Sequence, residues 1–234
     1  MRKLLAVHLY PLTLKLNGEV GNIRALEFRL SKLGYQLEVV ASELGESLSS
    51  TRPDFIFMGS GTLTATKLAA DDLRSKADLI LGWIESGTKV LAVGAGFDLV
   101  SRGLKLADGQ VLFGLSLTDT THQISANHLV GEVVATGDIA GFVNSNRHVH
   151  RDSETFALAK VTASDEDALV GYTDGYKDGV VLASNIQGPL LPMNPRLADE
   201  FLAWIIGDFE PETNLEVDQL AAQARNSISS RVNR

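Results

Sequence analysis

The feature that most constrains this chain is the alternation in its first half. Apolar runs of strand length are separated by stretches of helical period, and glycines punctuate the joins. Lys3 to Leu9 reads as a buried strand. Gly21 to Leu33 reads as a helix, with Ile23, Leu26, Leu30 and Leu33 on one face and Gly34 as its stop. Leu37 to Val40 and Asp54 to Met58 are the next strands, and Gly59-Ser60-Gly61 is a loop. Thr64 to Ser86 is a long helix ended by Gly87, and Lys89 to Val93 a fourth strand. Strands joined through helices imply right-handed parallel crossovers, hence an α/β sheet.

The second half changes character. From Leu104 to about Leu182 the runs QVLFGLSL, LVGEVVAT, IAGFVN, TFALAKVTA and VVLASNI are β-rich and broken by Gly, Asp and Asn. They predict short antiparallel hairpins and edge additions. Pro195 to Ile206 predicts a closing helix. Glu212 to Arg234 is polar with Leu215, Leu220, Ala224 and Ile228 in helical period, a helix that packs on the body or docks on a partner. The division predicted is one domain over residues 1–207 with a C-terminal helical extension over 208–234.

Composition narrows the function classes. With 21 Lys+Arg against 29 Asp+Glu the net charge is −8, and there is no basic block. Nucleic-acid affinity rests on Lys and Arg neutralising phosphates, so no nucleic-acid partner is expected. There are no cysteines, which excludes disulfides, Cys-zinc sites and thiol catalysis. The apolar stretch Leu79 to Ile84 is broken by Gly82, and no run approaches the ~18 residues of a membrane span. The opening MRKLLAVHLYPLTLKL has a short apolar run interrupted by His8, and reads as a first strand rather than a leader. A cytoplasmic location is expected.

Ligands in open parallel sheets collect beyond the carboxyl ends of the strands. Gly59-Ser60-Gly61-Thr62 and Gly94-Ala95-Gly96 lie there. No GK[ST] motif is present, so neither is a P-loop. LAVGAGFDLV has the strand–turn–helix shape of a nucleophile elbow, yet its tip is Gly94, which has no side chain. Asp98, near the start of the following helix, reads as a helix cap. His148 and His150 would share a strand face, and with His122 or His128 would form a zinc site only if a further ligand joined them; exposed strand histidines are the plainer reading, and no metal or cofactor is expected. Arg24 and Arg29 read as a solvated face of the first helix.

These segments together resemble class I glutamine amidotransferases of the cobyric-acid-synthase-like branch, and within it the glutaminase subunits of lipid II isoglutaminyl synthases. LYPLTLKLNGEVGNIRALEFRL is similar to the family's opening loop and first helix, with Glu19 and Asn22 at matching positions, read as structural with a partner contact as the alternative. FIFMGSGT is similar to its strand and GGG loop, and LAVGAGFDLVSRG to its elbow AICGGYQxLG. IAGFVNSNRH is similar to GFENHxGR, and SNIQGPLLPMNP to YLHGPLLPKNP. The last match is the most specific. The resemblance implies a three-layer, flavodoxin-like class I amidotransferase fold. It implies a pocket and oxyanion loop from Gly59, Ser60, Gly61, Ala95, Gly96, Asn144 and Arg147, the last aligned only with a one-residue deletion.

The same alignment puts the family's nucleophilic cysteine on Gly94 and its triad histidine on Gln187. Phe97-Asp98 replace Tyr-Gln, Val143 replaces glutamate and Ser145 replaces histidine. Family members hydrolyse glutamine through a thioester, with an imidazole moving protons and backbone N–H groups holding the oxyanion. Glycine offers no nucleophile, and glutamine exchanges no proton near neutral pH. Loss of the nucleophile or the imidazole of such a coupled unit costs about 10⁶-fold in the best-studied serine triad. The resemblance therefore implies a catalytically degenerate subunit partnered with a Mur-ligase-like synthetase that amidates lipid II. Two alternatives stand: a protein that binds or senses an amino acid such as glutamine, or a hydrolase using another nucleophile. Ser60, Thr62, Ser101 and Ser184 are the hydroxyls near the pocket.

Overall fold

The computed structural model describes residues 2–212 and 215–233. The first half comprises β1 (Arg2–Leu9), α1 (Val20–Lys32), β2 (Tyr35–Ser42), β3 (Phe55–Met58), α2 (Leu63–Glu85), β4 (Lys89–Val93) and α3 (Ala95–Val100). The second half adds β5 (Gly103–Lys105), β6 (Val111–Phe113), β7 (Thr120–Ala135), β8 (Ile139–Arg151), β9 (Ala159–Ser164), β10 (Thr173–Asp174), β11 (Tyr176–Lys177), β12 (Val181–Ser184) and β13 (Ile186–Gln187). Three helices follow: α4 (Leu190–Met193), α5 (Pro195–Ile206) and α6 (Glu216–Val232).

The central sheet has six strands in the order β11-β12-β4-β3-β1-β2. All its neighbours are parallel except β11, which runs antiparallel to β12. Because strand side chains alternate, each strand feeds two cores. Leu4, Ala6, Phe55, Phe57, Leu91, Val93 and Leu182 face α1 and α5 on one side. Val7, Leu9, Ile56, Met58, Val90, Ala92, Val181 and Ala183 face α2 and α3 on the other. Strand order 2-1-3-4 followed by β12 is the flavodoxin-like winding, whose crevice opens beyond the carboxyl ends of β1 and β3.

The second sheet is built on one long hairpin. β7 pairs with β8 along nearly its whole length, with a register shift between Ile124 and Leu129, and with β9 and β5 on its other edge. Val133, Ala135, Ile139 and Val143 join the core beneath α1 and α5. Sequence had suggested several short hairpins here. The glycines Gly131 and Gly141 lie inside the strands, where close neighbours leave no room for a Cβ: Asp165 Oδ1 lies 2.8 Å from the position it would take on Gly131, and Gln187 O 2.4 Å from that on Gly141. VVLASNI was also expected at an antiparallel edge; instead β12 lies parallel beside β4, fully buried, which suits its unbroken apolar run. Most of QVLFGLSL is loop beyond β6, because Gly114 packs its Cα against the Ser101 carbonyl.

The C-terminal segment packs on the body. Arg29 of α1, buried, donates to Asp199 of α5 at 2.6 Å and to Asp218 of α6 at 2.7 Å. Arg231 grips Glu132 of β7 through both carboxylate oxygens at 2.6 Å. The sequence reading of Arg29 as solvated is thus corrected: it is the cation that ties three helices together. The C-terminal helix was expected over Glu212 to Arg234; it spans Glu216–Val232, and Thr213, Asn214 and Arg234 lie outside the described residues.

Candidate functional site

Loops from the carboxyl ends of β1, β3, β4 and β12 converge on one cavity of about 320 Å³. Leu16 and Asn17 come from the first, Ser60 to Leu63 from the second, Gly94 and Ala95 from the third, Asn185 and Gln187 from the last. The β7–β8 hairpin closes one side with His128 and Asn144 to Arg147.

The turn after β4 is tight. Gly94 has φ 58° and ψ −113°, a backbone conformation that L side chains rarely adopt, and its N–H donates to Ser184 O at 2.9 Å. Gly96 donates to Gly59 O at 2.9 Å, and its Cα lies so close to β3 that a Cβ would stand 2.4 Å from Met58 O. Ser60 O accepts from Leu16 N at 3.0 Å. The Gly59–Gly61 loop is thereby held between the elbow and the segment after β1.

Gly94 and Gln187 adjoin. A Cβ on Gly94 would lie 3.4 Å from Gln187 Nε2. Gln187 is buried; its Oε1 accepts from Asn17 Nδ2 at 2.5 Å, and its Nε2 points to Asn185 O at 3.4 Å. Asn17 takes φ 60°, a left-handed conformation that asparagine tolerates. The strand-to-turn segment carrying Gln187 is pinned by the buried Asp174, which accepts from Ser184 Oγ at 2.6 Å and from Asn185 N at 3.0 Å. Burial pushes the Asp174 carboxyl upward, against those hydrogen bonds.

Asp98 does not cap α3. Its Oδ1 lies 2.7 Å from His122 Nδ1, and its Oδ2 accepts from Arg147 Nε at 2.9 Å. His122 is fully buried, edge-on to Phe97, with Nε2 3.2 Å from Thr120 Oγ1. It is therefore no exposed strand histidine, and it is remote in role from His148 and His150, whose rings touch each other at 4.4 Å. Among the described residues no three His, Cys, Asp or Glu side chains form a metal-binding group. Thr120, His122 and Asp98 have the connectivity of a nucleophilic triad, but Thr120 and His122 are sealed from solvent and do not line the cavity. Their arrangement holds Arg147 at the cavity wall.

The hydroxyls divide sharply. Ser101 and Ser184 are buried and committed to Asp98 O and Asp174. Thr62 caps α2 by accepting from Ala65 N at 3.2 Å. Ser60 faces the cavity beside Gly94. Asn144 Oδ1 sits 2.7 Å from His128 Nε2, and Arg147 lines the cavity. Sequence reasoning did not single out Asn17, Asn146, Asn185 or Asp174. The first three carry no motif of their own, and only the fold brings them together.

The winding, the elbow and the converging loops define a protein of the class I glutamine amidotransferase fold. A solved structure described as a glutamine amidotransferase superposes with TM-score 0.54 at 16% identity, covering 85% of this chain and 98% of that one. Among curated proteins the chain is similar to subunit GatD of the glutamine-hydrolysing lipid II isoglutaminyl synthase. The Staphylococcus aureus (strain N315) protein is 29% identical over 247 residues, covering 100% of this chain and 98% of the relative. The Streptococcus pneumoniae (strain ATCC BAA-255 / R6) protein is 28% identical over 200 residues, covering 82% and 76%. No protein-family model matches the chain. No helix among the described residues is long and apolar enough to cross a membrane.

Proposed function

We propose that this chain is a catalytically silent glutamine amidotransferase-type subunit. It acts with a Mur-ligase-like synthetase, in the cytoplasm, on the amidation of the peptidoglycan precursor lipid II. Residues 1–207 carry the site and 208–234 form an extension clasped to it. The observation that carries the reading is the pairing of Gly94 with Gln187. At the position where a thiolate would attack there is no side chain, and the neighbour that would move protons is an amide. The role left to the chain is structural or regulatory, with ammonia supplied from elsewhere. Similarity to the two GatD subunits supports the biological setting.

The test is ammonia release from glutamine by the purified chain, alone and with its candidate ligase. The expected result is no release above the uncatalysed background in either case. Turnover at ~1–10³ s⁻¹, the usual range for enzymes, would overturn the reading.

A second reading has its own observation. The cavity is lined by the carboxamides of Asn17, Asn144, Asn146, Asn185 and Gln187 and by the Arg147 guanidinium, groups that pair with a carboxamide and a carboxylate. This favours retention of glutamine or a related amino acid as a bound ligand without turnover. Calorimetric titration with glutamine separates a ligand-binding subunit, which gives a saturable heat lost in Arg147→Ala, from a scaffold, which gives none.

A further inference from the structure

We propose that Ser60 occupies the space an attacking side chain at residue 94 would need, so that the two positions form an exclusive pair. The proposal rests on the reading of residue 94 as the family's nucleophile position. A Cβ built on Gly94 meets Ser60 Oγ at 2.4 Å and Ser60 Cβ at 2.8 Å. Rotating the hydroxyl away relieves the first contact and leaves the second. The loop cannot withdraw either. Ser60 O is bonded to Leu16 N and Gly59 O to Gly96 N. Cβ positions on Gly59 and Gly61 already fall 2.6 Å from Leu14 atoms, so the loop lies flat against that segment. Retreat into it has no room, because interiors are close-packed.

The consequence is that silence at this site is not a single missing thiol. Gly94→Cys with Gln187→His restores the two groups on paper but forces two side chains into one volume. Restoration needs Ser60→Gly as well.

A double-mutant cycle in melting temperature tests this, with the parent, Ser60→Gly, Gly94→Cys and the double variant. The cost of placing any side chain at φ 58° is common to both backgrounds and cancels. Overpacking of one to two atoms predicts that Gly94→Cys lowers the melting temperature by at least ~5 °C more with Ser60 than with Ser60→Gly. Gly94→Ala, which brings only the Cβ, should show the same non-additivity. Failure of Gly94→Cys to fold with Ser60 but not with Ser60→Gly supports the proposal equally. Additive shifts, or loss of folded protein in both backgrounds for Cys and Ala alike, overturn it. The outcomes separate from those of the proposed function. Ammonia release by the parent chain would sink that function and leave the cycle untouched, whereas an inert parent with additive shifts would sink the exclusion alone.

Discussion

Glu19 offers a quantitative test of how the loop after β1 is seated. It is 1% exposed, just before α1, with Oε2 accepting from Asn22 Nδ2 at 2.6 Å and Oε1 without a partner among the described residues. Burial pushes its carboxyl up to about 8, against the Asn22 and Gly188 hydrogen bonds. The group is thus protonated in the fold at a pH where the unfolded chain has lost the proton. Its stabilisation is complete below the unfolded value of about 4.5 and is lost as pH rises through 8. His8 runs the other way. Burial lowers it to about 4, opposed by Glu43, so stability rises with pH from 4 to its ordinary 6.5. Between about 4.5 and 6.5 the two slopes cancel. From 6.5 to 8 Glu19 acts without His8, at about 1.4 kcal/mol per pH unit, or about 2 kcal/mol over the interval. Urea unfolding of the parent and Glu19→Gln at pH 6.5, 7.25 and 8 measures it. The variant bears a constant cost for a buried amide donor, but the gap between the two proteins should narrow by about 2 kcal/mol as pH rises. A gap independent of pH would refute the buried, protonated carboxyl.

Two further predictions rest on packing. Gly96→Ala puts a Cβ 2.4 Å from Met58 O and should cost at least about 2 kcal/mol, read as a lowered urea midpoint; an unchanged midpoint would show that β3 and the elbow separate cheaply. Arg29→Met leaves Asp199 and Asp218 without their cation, and since those carboxylates keep 16% and 28% exposure the loss should be about 2–3 kcal/mol, a melting point about 5–10 °C lower; no change would assign the clasp to apolar packing alone.

The first half of the fold was legible because periodicity carries it. β4 and α5 fall on the predicted residues, and α1 and α2 begin and end within a residue of prediction. The second half was read too short: the runs LVGEVVAT and IAGFVN, with Gly131 and Gly141 inside them, are the apolar parts of β7 and β8, whose remaining residues are largely polar and carry no apolar run. Polar residues were misjudged for a related reason. Arg29, His122 and Asp174 are buried with partners 10 to 170 residues away along the chain, and no helical or strand period records such a partner. Gly94 and Gln187 were placed together by motif likeness alone, and the geometry sets them side by side. Motif likeness also named Ser60 as a pocket residue; what it did not supply was how closely that serine stands against Gly94.

The Arg29 clasp also sets an order of events. Its partners follow it by 170 and 189 residues. While the polypeptide emerges from a ribosome, α1 therefore carries an uncompensated cation on the face it must bury. That face closes with its cation fully paired only once both α5 and α6 have followed, so the docking of α1 is coupled to two elements distant in the chain.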